Sequence, residues 1–343
     1  MNKKSGLLLV VWLLSFSLTC TRDKNPISAN LPVINPDGKA MNDMDTYLYL
    51  DMNGQLWSWG LNVFGQAGQG SAEPVQSPTP IGSINHVIDF DTREGISIAA
   101  DAAGNIWVWG FWGPSSYYYD PVLTPKSIAQ LPGVIGVDNM GYLLRDDGTV
   151  WEINKYTQIL ENDQLPEKIP GIDNIINLSG DLAVDQNGQL KNLTDLPRSP
   201  ESGGYTPINN VTQVQNSISH SVVLKTDGTV WAWGQNKTGE LGNVADTVSA
   251  VPVRVNGLDN IVQISVRYHF NLALKDDGSV WFWGYTANRD ENNKPIGTDT
   301  PERVETTGPV ANIQAGINCM LIQQDGTLWT FDVKDRVVHK IDL

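Results

Sequence analysis

From about residue 38 to its last residue, the chain alternates short apolar runs with turn residues, and the alternation is periodic. The clearest unit is Asp227-Gly228-Thr229-Val230-Trp231-Ala232-Trp233-Gly234. Copies led by Gly54, Gly104, Gly148, Gly188, Gly278 and Gly326 bring the total to seven, at intervals of 40 to 50 residues. A tryptophan stands three residues after the glycine in every copy but the fourth, where Lys191 replaces it. Ahead of each glycine lies an apolar run such as Val222-Val223-Leu224. An apolar run, an Asx-Gly pair and a second apolar run predict a hairpin, because tight hairpin turns need positive φ and glycine supplies it without strain. Two tryptophans two positions apart share one face of their strand, and Val230 and Ala232 make the opposite face apolar too. Such a strand must be covered on both sides.

Each hairpin is preceded by another strand-like run, such as Ile261-Val262-Gln263-Ile264 or Ile175-Ile176-Asn177-Leu178. Each is followed by a proline-bearing run, such as Pro252-Val253-Arg254-Val255. Proline is tolerated on an edge strand, so the proline run is expected outermost. Four strands per repeat with a period in the forties predict an all-β fold, a seven-bladed β-propeller of four-stranded blades. Lys39 to Asp45 are expected to serve as the first inner strand and Val337 to Leu343 as the last outer one. Ring closure then needs no strand exchange; an N-terminal strand completing the last blade is the alternative. The fourth repeat is degraded and leads into a polar Pro/Gly/Ser stretch, Pro197 to Gly204.

Trp233-Gly234-Gln235-Asn236-Lys237-Thr238-Gly239-Glu240-Leu241-Gly242 resembles the W-G-x-N-x-x-G-Q-L-G signature of regulator of chromosome condensation repeats, and Trp59 to Gly68 is similar. The resemblance covers roughly residues 38 to 343. It implies a β-propeller fold. Within the family it also implies two more specific activities: nucleotide exchange on a small GTPase, and inhibition of β-lactamases by secreted bacterial members. Asn154, Thr194 and Asp332 stand where the family has the glycine after the strand, so those blades are expected to keep the fold without the usual loop.

The N-terminus reads as a processing segment. Lys3-Lys4 is followed by an apolar run from Gly6 to Leu18, too short for a membrane span and typical of an export signal. It ends at Ser17-Leu18-Thr19-Cys20, which resembles the lipid-modified cysteine of bacterial lipoproteins. Residues 1–20 are therefore expected to be a signal peptide, residues 21–37 a Pro/Asn/Ser linker and residues 38–343 the propeller. An exported, lipid-anchored protein of the cell envelope follows, with an ordinary cleaved, secreted chain or an uncleaved anchor as the alternatives. Cys319, the one other cysteine, is expected to be a small buried hydrophobe. The net charge of −15 argues against nucleic acid and anionic lipid surfaces, so the anchor is the only membrane contact expected, and it favours at most a basic partner.

Chemistry is sparse. His86, His220, His269 and His339 fall in different repeats without ligand spacing, so neither a metal nor a catalytic cluster is expected, and no cofactor. The Asp-x-Asn-Gly segments at Asp51 and Asp185 are explained as hairpin turns rather than calcium loops, and four N-x-S/T triplets are taken as chance. If strands alternate in direction, the loops after the first and third strands share one face and the Asp-Gly turns lie on the other. The first face collects Arg93, Arg267, Tyr268, His269, Tyr285, Arg289 and the aromatic stretch Phe111-Trp112-Gly113-Pro114-Ser115-Ser116-Tyr117-Tyr118-Tyr119. Aromatic and arginine side chains on loops are what protein interfaces use as anchors. The expected partner-binding set is Phe111, Trp112, Tyr117, Tyr118, Tyr119, Arg267, Tyr268, Tyr285 and Arg289. The expected function is a monomeric, non-enzymatic protein-binding scaffold. Alternatives are a small-GTPase exchange factor and a carbohydrate-binding or glycan-active surface protein, though no recurring carboxylate pair marks a glycosidase.

Overall fold

A computed structural model describes residues 38–43, 45–111, 121–153, 166–194, 207–243, 247–293, 295–316 and 318–341. The expected signal and linker, residues 1–37, lie outside them. Seven antiparallel sheets follow one another along the chain, each with its strands in sequence order. Blade 5 is representative: Val211–Asn216, His220–Lys225, Val230–Gln235 and Val248–Arg254. Six blades have four strands; the fourth, the degraded repeat, has three among the described residues: Ile175–Ser179, Leu182–Asp185 and Leu190–Asn192.

The turn glycines behave as the pattern demands. Gly54, Gly148 and Gly228 have φ of 77°, 75° and 75°. A turn aspartate also anchors the tryptophan three residues beyond the glycine. In blade 1, Trp57 Nε1 donates to Asp51 Oδ2 (3.2 Å). In blade 5 the bond is relayed: Trp231 Nε1 donates to Thr229 Oγ1 (3.1 Å), which donates to Asp227 Oδ1 (2.6 Å). In blade 4, Lys191 replaces the tryptophan and its ammonium reaches Asp185 at 3.2 Å, so a cation takes over the tie from the indole. The second tryptophans, Trp109, Trp233 and Trp283, are fully buried and pack between blades, whereas the first of each pair is half-buried.

Adjacent blades are tied at three levels. Nearest the Asp-Gly turns, the turn glycine's carbonyl accepts the first amide of the next inner strand: Val87 N to Gly54 O (2.8 Å) and Ile261 N to Gly228 O (3.0 Å). One level further in, a polar side chain at the third position of an inner strand takes the next blade's amide. Val137 N donates to Asp89 Oδ2 (2.9 Å), Val214 N to Asn177 Oδ1 (2.8 Å) and Ile264 N to Gln213 Oε1 (3.1 Å). Gln263 both accepts from Ile313 N (3.1 Å) and donates to Ile313 O (3.0 Å). At the far level, Trp109 Nε1 donates to Gln66 O (2.7 Å) and Trp283 Nε1 to Glu240 O (3.0 Å), each reaching the loop of the preceding blade.

The ring closes without strand exchange. Lys39–Asp43 is the inner strand of blade 1, and Val337–Lys340 pairs within blade 7. Asn318 Nδ2 donates to Asp45 Oδ1 (2.9 Å), and Ala40, Tyr49 and Trp59 of blade 1 pack with Met320, Ile322 and Leu328 of blade 7. Cys319 is buried in the second strand of blade 7, and burial pushes its thiol up to about 12.

The third-position side chains should carry measurable stability. Gln263→Ala leaves both backbone groups of Ile313 unpaired and should cost about 2–3 kcal/mol in urea unfolding, whereas Val262→Thr, at the exposed neighbouring position, should change the midpoint little.

Candidate protein-binding face

Strand order places the loops after the first and third strands on one face. A backbone bond then ties the two loops together within a blade. Leu61 N donates to Asp45 O (2.9 Å), Phe111 N to Gly95 O (2.8 Å) and Tyr285 N to His269 O (2.9 Å). This tie explains the glycine after Trp-x-Trp. At Gly110 (φ 88°) an added Cβ would lie 2.1 Å from Gly95 O, and at Gly284 (φ 97°) 2.4 Å from His269 O. Only glycine permits that approach. The signature loop is fixed from within: Asn236 Oδ1 accepts Leu241 N (2.9 Å), and Glu240 Oε2 accepts Thr238 N (2.8 Å). Asn62 and Gln66 do the same in blade 1.

On this face Tyr268, Tyr285 and Arg93 are half-buried and Arg289 is exposed. Phe111 is half-buried and packs on Phe64 of the neighbouring blade, ring centroids 5.7 Å apart. Trp112, Tyr117, Tyr118 and Tyr119 lie outside the described residues.

Arg267 differs from its expected role. Its side chain is only 8 % exposed and pairs with Asp43, which is wholly buried. It also donates to Thr92 O (3.1 Å), while Asp43 Oδ2 accepts Gly95 N (2.7 Å). One guanidinium thus joins the inner strands of blades 6, 1 and 2, and the strut leaves no charge for a partner. Tyr268, whose ring lies 5.0 Å from that guanidinium, is the side chain it supports.

Two histidines from different repeats come together in the ring. His220 and His269 meet at the junction of blades 5 and 6. Asn271 Nδ2 donates to Glu240 O (3.0 Å), which leaves Asn271 Oδ1 to accept from His220 Nε2 (2.6 Å). His220 Nδ1 is then the acceptor for Ser219 Oγ (3.4 Å), and Ser219 Oγ in turn accepts from His269 Nδ1 (3.0 Å). Glu240 Oε1 lies 3.3 Å from the same His269 nitrogen. Their numbers carried a signal: the histidines are one repeat interval apart, which in a propeller means adjacent blades. Serine and glutamate both address Nδ1, whereas a nucleophile-base-acid relay needs them on opposite nitrogens, and Ser219 is buried. The cluster holds the blade 5 loops against His269, and Ser217 Oγ, from the loop of Ser219, donates to Tyr268 O. Burial holds the His220 imidazole below its ordinary range. Burial pushes Glu240 up, but bonds from His269 and Thr238 outweigh it and keep its carboxyl lowered.

This geometry gives a pH dependence. The unfolded chain binds a proton at His220 more readily than the folded one, so stability is complete above the ordinary value of 6.5 and falls as pH drops below it. Urea midpoints between pH 8 and pH 5 should show that decline, and His220→Gln should flatten it.

Comparison with known proteins agrees with the repeat. The pattern described as Regulator of chromosome condensation (RCC1) repeat matches residues 53–92 and 227–274, and a second pattern of the same description matches 211–240. E3 ubiquitin-protein ligase HERC2 of mouse and of human is 25% identical over 232 residues, taking in 57% of this chain and 5% of the relative. The chain thus spans about one-twentieth of the length of the curated relatives it matches. Among solved structures, Prp20p of Saccharomyces cerevisiae, studied for binding to Gsp1p and histones, is 17% identical with a TM-score of 0.49, covering 89% of this chain and 76% of its own. PorZ, a bacterial surface component of the type-IX secretion system of Porphyromonas gingivalis, is 13% identical with a TM-score of 0.50, covering 92% of this chain and 39% of its own.

Proposed function

We propose that this chain, which belongs to the regulator of chromosome condensation repeat family, is a non-enzymatic scaffold that holds a partner protein against its loop face. The observation that carries the reading is the backbone tie between the two loops of a blade. It fixes Phe111 and Tyr285 beside the loop that follows the first strand, on a rigid platform where little conformational entropy is lost on binding. Tyr268, Tyr285, Phe111 and Arg289 are partly or fully exposed there, the residue types that carry interface energy. The partner class is protein, which aromatic and arginine side chains on a rigid face suit. The net charge of −15 favours a partner with a basic contact surface.

An anchor at Cys20 fits this arrangement. The described chain enters blade 1 at Lys39, paired with Leu50 beside the Asp51 turn, on the face opposite the loops. The partner of a lipid-anchored chain would then be a protein such as an enzyme of the cell envelope.

A crosslinking pull-down from the native cells, comparing the chain with a Tyr268→Ala/Tyr285→Ala variant, tests the site. A partner protein recovered about tenfold or more in preference with the unaltered chain is expected; the same proteins with both baits would remove the loop face from consideration. The anchor is tested separately. Labelled fatty acid should be incorporated into the chain and lost in Cys20→Ser, and a chain that takes up no label is not lipid-anchored.

A further inference from the structure

The opposite face has features that the loop-face reading does not use. In the inner strands the first and fourth positions are buried, as at Val87 and Phe90 or Ile261 and Ile264. The second position, although buried at Ala40 in blade 1, is open in four others. It holds Ile88, Ile135, Ile176 and Val262 in blades 2, 3, 4 and 6, with 38%, 41%, 53% and 47% of their surface exposed. Ile88, Ile176 and Val262 are the extra residues of β-bulges, skipped in the pairing with the second strand. A bulge re-aims its side chain out of the ladder. The fold does not require an apolar residue there, because Thr212 takes the same place in blade 5 with the same bulge. Each of these strands starts next to the Asp-Gly turn of its own blade, and the inner strands surround the axis. The four side chains therefore stand around the mouth of the central channel.

Between blades 1 and 2 this surface deepens into a cavity of about 250 Å³, where Lys39, paired with Asp89, and Asp51 stand among Leu50, Met52, Val87 and Ile88. Met52 is 60% exposed. Around the mouth the hairpin turns carry aspartates, including Asp51, Asp227, Asp277 and Asp325, the last three exposed. Hydrogen bonds from Thr229, Ser279 and Thr327 hold the carboxyls of those three below their ordinary value, so they stay charged. Lys225 and Lys275 lie over the rings of Trp231 and Trp281, each 5.3 Å from the centroid, rather than standing out from the turns.

We propose that the Asp-Gly face is a second docking surface, which takes a cationic segment of another protein with its apolar side chains seated against Ile88, Ile135, Ile176 and Val262 at the channel mouth. An exposed apolar cluster rimmed by charge is the signature of a recognition site, and the sign of the rim chooses the occupant. Two copies of this chain would bring aspartates against aspartates, and an anionic lipid surface would be repelled.

The test uses the full chain and a labelled helical peptide of lysine and leucine with the leucines on one face, followed by fluorescence anisotropy. Two controls replace leucine by serine, or lysine by glutamate. The lysine-leucine peptide should bind at least tenfold more tightly than either control. Ile88→Ser/Ile176→Ser/Val262→Ser should weaken it about tenfold, as should Asp227→Asn/Asp277→Asn, while Tyr268→Ala/Tyr285→Ala on the loop face leaves it unchanged. Thermal midpoints near that of the unaltered chain confirm that the variants are folded; should the triple variant unfold, the aspartate variant and the peptide controls decide alone. Equal binding of the lysine-serine peptide, indifference to the aspartate change, or weakening by the loop-face variant would each overturn the proposal. So would a dimer in sedimentation that the triple variant dissolves, which makes the occupant a second copy. Binding that appears only after residues 21–37 are removed would make the occupant the chain's own segment and overturn it equally.

Discussion

The fold depends on the free edge of each inner strand. A blade's sheet ends at the channel, so its innermost strand has backbone amides without a neighbour in its own sheet. An unpaired amide in a crowded interior costs roughly 1–3 kcal/mol, and seven blades multiply that cost. The chain meets it with the preceding blade. Asp89, Asn177, Gln213 and Gln263 each reach across to one amide of the next inner strand. Direct strand pairing would flatten the ring; a side chain that spans the gap lets neighbouring blades sit at an angle and still satisfies the edge. The bulge just before the polar residue belongs to the same device, because the extra residue turns the following side chain toward the neighbour.

That device separates what is rigid from what can vary. With the edges tied at the turn glycine, at the inner-strand side chain and at the buried tryptophan, a repeat can lose part of its signature and keep its place in the ring. Blade 4 shows how far a repeat can drift. It has lost both tryptophans and the closing glycine, yet Lys191 reaches Asp185 as the indole reaches Asp51 in blade 1. Glu240 shows drift in the other direction. It keeps the loop bond to Thr238 that Gln66 makes to Phe64, and adds a charge that engages His269 of the next blade.

The architecture was legible because its causes are local. Positive φ at Gly228, the face shared by Trp231 and Trp233, and the proline on the outer strand each follow from a few neighbouring residues. What was not legible depends on the closing of the ring. Arg267 reads as a loop cation among aromatic residues; only closure brings Asp43, more than two hundred residues away in sequence, against it. The polar third position was visible in Ile175-Ile176-Asn177-Leu178, but its purpose was not, since the amide it serves lies in the next repeat. His220 and His269 looked scattered because distance along the chain was counted in residues. In a propeller the useful measure is the position modulo the repeat, and by that measure they are neighbours.

The same measure locates recognition. Positions where all blades agree are consumed by the ties that hold the ring, so a partner must be read by positions where blades differ. On the loop face these include Tyr268, whose ring lies by the Arg267 guanidinium, and Tyr285, whose amide is tied to the carbonyl of His269. At the channel mouth the logic is inverted. There four blades place an exposed apolar residue that no tie requires, and the threonine of blade 5 shows the ring can do without it. Agreement at a position the fold does not use is the mark of a surface kept for contact, just as disagreement is at the loops, and a single propeller can hold both kinds on opposite faces.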